Sequence, residues 1–330
     1  MSLPRRHLVA LAVLAASGVP GCVSVVPPSP TFTLDMSDGT PLFVRRWLAV
    51  SGRPRGVVQL VHGSAEHSAR YDRFAQRLNR EGWLVYADDH RGHGNTRVRS
   101  GALGDAGPDA WNRFVTDEKA LNDHIKARHP GLKVFMLGHS MGSFIAQDYA
   151  ARYGSTLAGV VLSGSSGVLP DADAAVAAAR GLARANPLGA SPMLASTFEA
   201  FNKPFAGRPG AEWLSRDPVE VRKYMDDPAC GFTFNNELVA DLLTGLRDLW
   251  NPANEARIPR TLPFYVVAGD ADPVSGGTAG LQVLLANYRR LGLTDVSHKF
   301  YPGARHEILN EINRDEVEAD IIGWLNARGA

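Results

Sequence analysis

The sequence predicts an α/β domain built on a mostly parallel β-sheet, buried on both faces and interrupted late by a helical insertion. Three observations predict it. Short apolar runs alternate with segments of helical periodicity from Gly56 to Ser166. The alternation then stops and resumes at Pro263. Finally, Gly138-His139-Ser140-Met141-Gly142 stands where one apolar run passes into one helical segment.

Taken in order, Thr31–Leu34 and Pro41–Trp47 flank Ser37-Asp38-Gly39, a hairpin signal. Gly56–Val61 is a strand ending at His62-Gly63. Asp72–Arg80 carries Phe74 and Leu78 four residues apart, reads as a helix, and stops at Gly82. Trp83–Ala87 is a strand, and Trp111–Arg128 is a helix closed by Pro130-Gly131. Val134–Leu137 is a strand, Ser143–Tyr153 a helix and Gly159–Leu162 a strand. The segment from about Gly167 to Asn254 is Ala-rich, then rich in Pro, Asn, Asp and aromatics, with short helical patterns and no strand. It reads as a cap whose Leu, Met, Phe and Trp side chains line an apolar tunnel. It is expected to select the substrate and leave the chemistry to the sheet. Pro263–Ala268, a helix at Gly280–Leu291, His298–Tyr301 and a helix at Glu316–Asn326 complete the domain. Strands joined through helices require crossovers, hence parallel pairing with helices covering both faces.

The length of 330 residues fits one large α/β domain with an insertion, and 45% hydrophobic residues suffice for a sizeable core. With 35 basic against 34 acidic side chains, the net charge of +1 gives no electrostatic footprint for nucleic acid.

Residues 1–30 differ from the rest. Arg5-Arg6-His7 is basic, Leu8–Val19 is apolar and small, and Gly21-Cys22 precedes Pro27-Pro28-Ser29-Pro30. This is the layout of a secretory signal, with an apolar run shorter than the roughly 20 residues a membrane span needs. Val19-Pro20-Gly21-Cys22 resembles a bacterial lipobox, with Pro20 a departure from the usual pattern. The expectation is an exported protein anchored to a membrane of the cell envelope by acylation of Cys22, with a Pro-rich spacer to a domain spanning residues 31–330. The alternative is a cytoplasmic protein. Lipidation of Cys22 would leave Cys230 without a disulfide partner. No Cys/His pair has zinc-ligand spacing, so no metal site is expected.

The chemistry-bearing residues start with Ser140. A serine in a G-x-S-x-G turn between strand and helix is held above the sheet edge, where its hydroxyl can attack. The following N–H, that of Met141, is aimed where an oxyanion would form. Serine needs a base, and this motif is followed in the chain by an acid and then a histidine. Two histidines follow Ser140. His298 falls within a strand, whereas His306 lies in a loop just beyond one, after Tyr301-Pro302-Gly303, and is the candidate base. Gly269-Asp270-Ala271-Asp272-Pro273 offers two acids, Asp270 and Asp272, with spacing slightly favouring the second. A second oxyanion donor is expected from the backbone of Ser64, in the loop after Val61. His62 reads as a structural brace of that loop.

Four blocks together resemble the monoacylglycerol lipase and lysophospholipase branch of the α/β hydrolases: His62 to Tyr71, Asp89-His90-Arg91-Gly92-His93-Gly94, Gly138 to Gly142, and Asp272 with Pro302-Gly303-x-x-His306. The resemblance runs from about Thr31 to the C-terminus. It implies an eight-stranded sheet with a helical cap and no cofactor, Asp272 as the acid, and Ser64 and Met141 as the oxyanion hole. The implied activity is hydrolysis of single-chain lipid esters through an acyl-enzyme on Ser140. Glu66 and Arg70 match polar positions at the glycerol end of the pocket, with an internal salt bridge as the alternative. Ala65 stands where the animal enzymes have Gly, and Leu309 near where they carry a second His. The rival readings are an aminopeptidase-like amidase, for which Glu199, Glu212, Asp226 and Asp227 are candidate amine ligands, and a non-catalytic lipid-anchored binding module.

Overall fold

The structure is a computed structural model that describes residues 31–205 and 210–329. The signal-like segment, Cys22 and the Pro-rich spacer lie outside the described residues.

The hairpin signal yields β1 (Thr31–Asp35) and β2 (Pro41–Trp47), paired antiparallel. Gly39 closes the turn at φ 80°, a conformation free of steric cost for glycine. The other strands are β3 (Gly56–Val61), β4 (Trp83–Asp88), β5 (Val134–His139), β6 (Gly159–Ser163), β7 (Phe264–Gly269) and β8 (Val296–Tyr301). They form one eight-stranded sheet in the order β1-β2-β4-β3-β5-β6-β7-β8. β2 pairs antiparallel with β4, and every later pair is parallel.

The helices α1 (Asp72–Arg80), α2 (Ala110–Arg128), α3 (Met141–Tyr153), α9 (Ala279–Leu291) and α10 (Arg314–Gly329) supply the crossovers and the closing layer. The near-continuous apolar strands are explained by burial on both faces. In β4, Leu84 and Tyr86 join one core layer while Trp83, Val85 and Ala87 join the other. Gln59 is the polar exception in β3. It is fully buried, and its amide donates to the carbonyl of Glu118 at 2.8 Å and accepts from Asn122 at 3.0 Å. A buried amide satisfied in this way escapes the penalty of an unpaired group and fixes α2 against the sheet.

Between β6 and β7 the described residues contain no strand. They form α4 (Ala172–Ala185), α5 (Pro192–Asn202), α6 (Pro218–Asp226), α7 (Asn236–Leu249) and α8 (Pro252–Glu255). Proline occupies the first turn of α5, α6 and α8, where its missing N–H has no intrahelical acceptor to lose. Asn235 caps α7, its side chain accepting from the Leu238 N–H at 2.8 Å. α4 packs along α7, and α7 packs on α2 and α3, so the cap rests on the sheet's own helices. Among the described residues no helix is long and apolar enough to cross a membrane.

Some boundaries differ from the sequence reading: β8 begins at Val296 rather than His298, and α10 spans Arg314–Gly329 rather than Glu316–Asn326. α3 begins at Met141 rather than Ser143, because the turn at Ser140 throws the chain straight from β5 into the helix.

Candidate active site

Ser140 has φ 52° and ψ −123°, a strained conformation for a residue with a Cβ. Its N–H donates to the Ser163 carbonyl at 2.9 Å, and its carbonyl accepts from the Ser143 N–H at 2.8 Å, which hold the turn in place. The turn also needs its glycines. A Cβ on Gly138 would lie 2.3 Å from the Gly142 carbonyl oxygen, and one on Gly142 would lie 2.1 Å from that of Val61. β3, β5 and α3 therefore approach so closely only because those side chains are absent.

Across the sheet's edge, His306 is buried and its Nδ1 lies 3.0 and 2.9 Å from the two carboxylate oxygens of buried Asp272. A carboxylate only accepts, so Nδ1 carries the proton and Nε2 presents a lone pair. That Nε2 is buried with no hydrogen-bond partner, and His306 and Ser140 line the same cavity. Burial opposes a charge on His306, but the carboxylate of Asp272 outweighs it and raises the pKa. Asp270 has another role: its Oδ1 accepts from the Gly303 N–H at 2.6 Å and shapes the turn before His306. His298 is exposed on β8.

Neither the Ser64 nor the Met141 N–H donates to another group among the described residues. Met141 opens α3, where N–H groups have no intrahelical acceptor. Both residues line the cavity that Ser140 lines. His62 braces the Ser64 loop, with Nδ1 donating to the Gly63 carbonyl at 2.8 Å and Nε2 accepting from the His90 N–H at 3.0 Å. Burial keeps it neutral, holding its pKa well below the usual histidine range.

Glu66 and Arg70 form the internal salt bridge. Glu66 Oε1 accepts from the Gly63 N–H at 2.6 Å and from the Tyr71 hydroxyl at 2.7 Å. Arg70 donates to Glu66 at 2.6 Å and, through both terminal nitrogens, to Glu307 at 2.6 and 2.8 Å. The Arg70 guanidinium also lies over the Tyr224 ring, 4.9 Å from its centroid. Burial would push the Glu307 carboxyl upward, but the Arg70 charge overrides it and keeps the group ionised. Glu66 lines the cavity, while Arg70 is spent on the two glutamates. The sequence reading missed Glu307, whose only signal was its place next to His306.

The cavity has a volume of about 700 Å³. Phe144 and Leu169 line it with Met193, Phe198, Trp213, Leu242, Leu246 and Trp250, most of them from the insertion. The insertion also holds the histidine loop. The N–H groups of His306 and Glu307 donate to the carbonyls of Trp213 and Leu214 at 3.3 and 2.7 Å, and the rings of Trp213 and His306 lie 5.0 Å apart. No sequence signal marked Trp213 or Leu214. Leu309 packs in the core, away from the cavity lining. Ala65 adopts φ 51°, a conformation glycine takes more easily, and its carbonyl accepts from the Gly231 N–H of the insertion at 2.9 Å.

A sheet with this strand order, carrying a strained serine at the end of β5, defines an α/β hydrolase. Residues 52–313 match the family described as serine aminopeptidase, S33, and the chain belongs to that family. A monoacylglycerol lipase of Mycolicibacterium smegmatis is 35% identical over 82% of this chain and 88% of its own. A human monoglyceride lipase is 32% identical over 89% of each chain. The crystal structure of a thermostable carboxyl esterase from Bacillus coagulans, in complex with glycerol, superposes with a TM-score of 0.83 at 32% identity, covering 92% of this chain and 99% of that one. The chain is a serine carboxylic ester hydrolase.

Proposed function

We propose that the enzyme hydrolyses monoacylglycerols and related single-chain lipid esters, with Ser140, His306 and Asp272 as its triad. Ser140 Oγ attacks the ester carbonyl while His306 Nε2 takes its proton. The tetrahedral oxyanion accepts hydrogen bonds from the Ser64 and Met141 N–H groups, each worth about 3 kcal/mol where such donors have been removed from other enzymes. Collapse expels the alcohol, which takes the proton from His306, and water activated by the same imidazole releases the fatty acid. Asp272 holds the productive tautomer and stabilises the imidazolium.

The observation that carries the substrate class is the cavity lining. Most of its lining is apolar; beyond the proposed catalytic groups its polar residues are His139, Ser166, Ser196, Thr197, Tyr224 and two carboxylates, Glu66 and Glu307, and Arg70 pairs with both carboxylates. An acyl chain gains about 0.8 kcal/mol for each CH₂ buried there. An aminopeptidase needs an unpaired carboxylate for the substrate amine. None of the four candidates lines this cavity: Glu212 pairs with Arg305, Asp227 with His67, Asp226 is exposed, and Glu199 borders a different hollow. The test is a turnover screen over monoacylglycerols, lysophospholipids, p-nitrophenyl esters and aminoacyl amides. Monoacylglycerols should give the highest kcat/KM among the natural ester classes. Faster turnover of aminoacyl amides would overturn the reading.

The same proposal places the enzyme at a membrane through acylated Cys22, with the Pro-rich stretch as a stiff spacer. Fractionation of cells expressing the full chain and its Cys22→Ser variant checks it. The parent should sediment with membranes and the variant should not. A soluble parent with Met1 intact by mass spectrometry would point to the cytoplasm.

A further inference from the structure

His67 is far in sequence from Asp227 and Cys230, yet the ligand atoms of the three lie within 4.8 Å of one another. His67 Nε2 is 2.9 Å from Asp227 Oδ2. Asp227 and Cys230 belong to one turn between α6 and α7, closed by a bond from the Cys230 N–H to the Asp227 carbonyl at 2.9 Å. The second carboxylate oxygen of Asp227 accepts from the Ala229 N–H at 2.8 Å, which fixes the side chain's direction. His67 lies three residues after Ser64, and the Gly231–Ala65 hydrogen bond pins the two loops together. The cluster thus joins the insertion to the loop that carries a proposed oxyanion donor.

We propose that His67, Asp227 and Cys230 form a binding site for Zn²⁺ or a similar borderline-soft divalent cation, which clamps the insertion to the Ser64 loop. Imidazole, carboxylate and thiolate are the ligand types zinc takes, and three protein ligands leave a fourth position for water. Thiolate selects against Mg²⁺ and Ca²⁺, which prefer all-oxygen sites. Binding replaces the hydrogen between His67 and Asp227: the imidazole proton moves to Nδ1, and the Cys230 thiol loses its proton to solvent as the metal–sulfur bond forms. Burial raises the thiol pKa in the metal-free state, and a bound cation offsets that by deprotonating the sulfur. Entry is open at Asp227, whose side chain is 32% exposed. The other imidazole–carboxylate cluster, Asp88–His90–Glu118, differs in kind. It is fully buried, and both His90 nitrogens are engaged, by Asp88 at 3.0 Å and the His62 carbonyl at 3.1 Å.

The test uses the full chain carrying Cys22→Ser, which leaves Cys230 as the sole thiol. Co²⁺ should bind one per chain with a thiolate-to-cobalt charge-transfer band that Zn²⁺ displaces. Cys230→Ser should abolish the band, and Asp227→Asn and His67→Gln should each weaken binding at least tenfold. At equal concentration, Zn²⁺ should raise the melting temperature of the parent more than that of any of the three variants. If Cys230→Ser does not fold, the other two variants decide. Absence of the band in the parent overturns the site, as does a band surviving Cys230→Ser, or affinity unaltered in both Asp227→Asn and His67→Gln.

Discussion

The Glu307 N–H donates to the Leu214 carbonyl at 2.7 Å, so the loop bearing His306 is fastened to the insertion rather than merely covered by it. The insertion therefore positions the proposed base as well as shaping the pocket. The sequence suggested a purely substrate-selecting element, since nothing in it showed that residues near 214 meet residues near 306.

Replacing residues 167–254 by a short linker should therefore slow fluorophosphonate labelling of Ser140. Two hydrogen bonds at about 1 kcal/mol each correspond to roughly 30-fold in the population of the productive histidine position. Labelling rates on a variant with native-like circular dichroism check this. Unchanged labelling would mean that the sheet alone holds His306.

Asp272→Asn should lower kcat by about 10⁴ without unfolding the protein, because an amide no longer enforces the tautomer with Nδ1 protonated. Asp270→Asn touches only the Gly303 turn, where an amide oxygen can still accept from the Gly303 N–H, and should cost less than about tenfold. Esterase kinetics on both variants decide which acid serves His306.

Arg70→Met should destabilise the fold by about 3–5 kcal/mol, since it leaves Glu66 and Glu307 buried without a counter-ion. Denaturant unfolding measures the loss. Adding Glu66→Gln and Glu307→Gln to Arg70→Met should recover part of it, because the uncompensated charge is then removed.

The pH dependence follows from the raised pKa of His306. The protonated imidazole cannot accept the Ser140 proton, so kcat/KM should fall on acidification. Because Asp272 stabilises the imidazolium, the acid limb should have its midpoint above the ordinary histidine value of about 6.5. In Asp272→Asn that support is lost, and burial alone should move the limb to lower pH. Profiles with a soluble p-nitrophenyl ester check the direction. A variant limb at higher pH would contradict the assignment.

The sequence by itself determined the class of fold and singled out Ser140 as the proposed nucleophile, because both rest on local physics. Strand and helix periodicities are written residue by residue, and the Gly138–Gly142 turn demands small residues at fixed spacing. His306 was legible for the same reason, as the later histidine that falls in a loop beyond a strand. Asp270 and Asp272 were not separable from the residues alone, since both stand in one turn and only the direction of each side chain assigns them. Tertiary structure decided that direction: Asp270 turns to the Gly303 N–H and Asp272 to His306. It also decided the pairing of Arg70 with Glu307, the hold of Trp213 and Leu214 on the histidine loop, and the meeting of His67 with Cys230. These contacts join residues between 93 and 237 positions apart in a chain of 330. Their energies depend on which surfaces the folded sheet brings together, and no local pattern in the sequence records that.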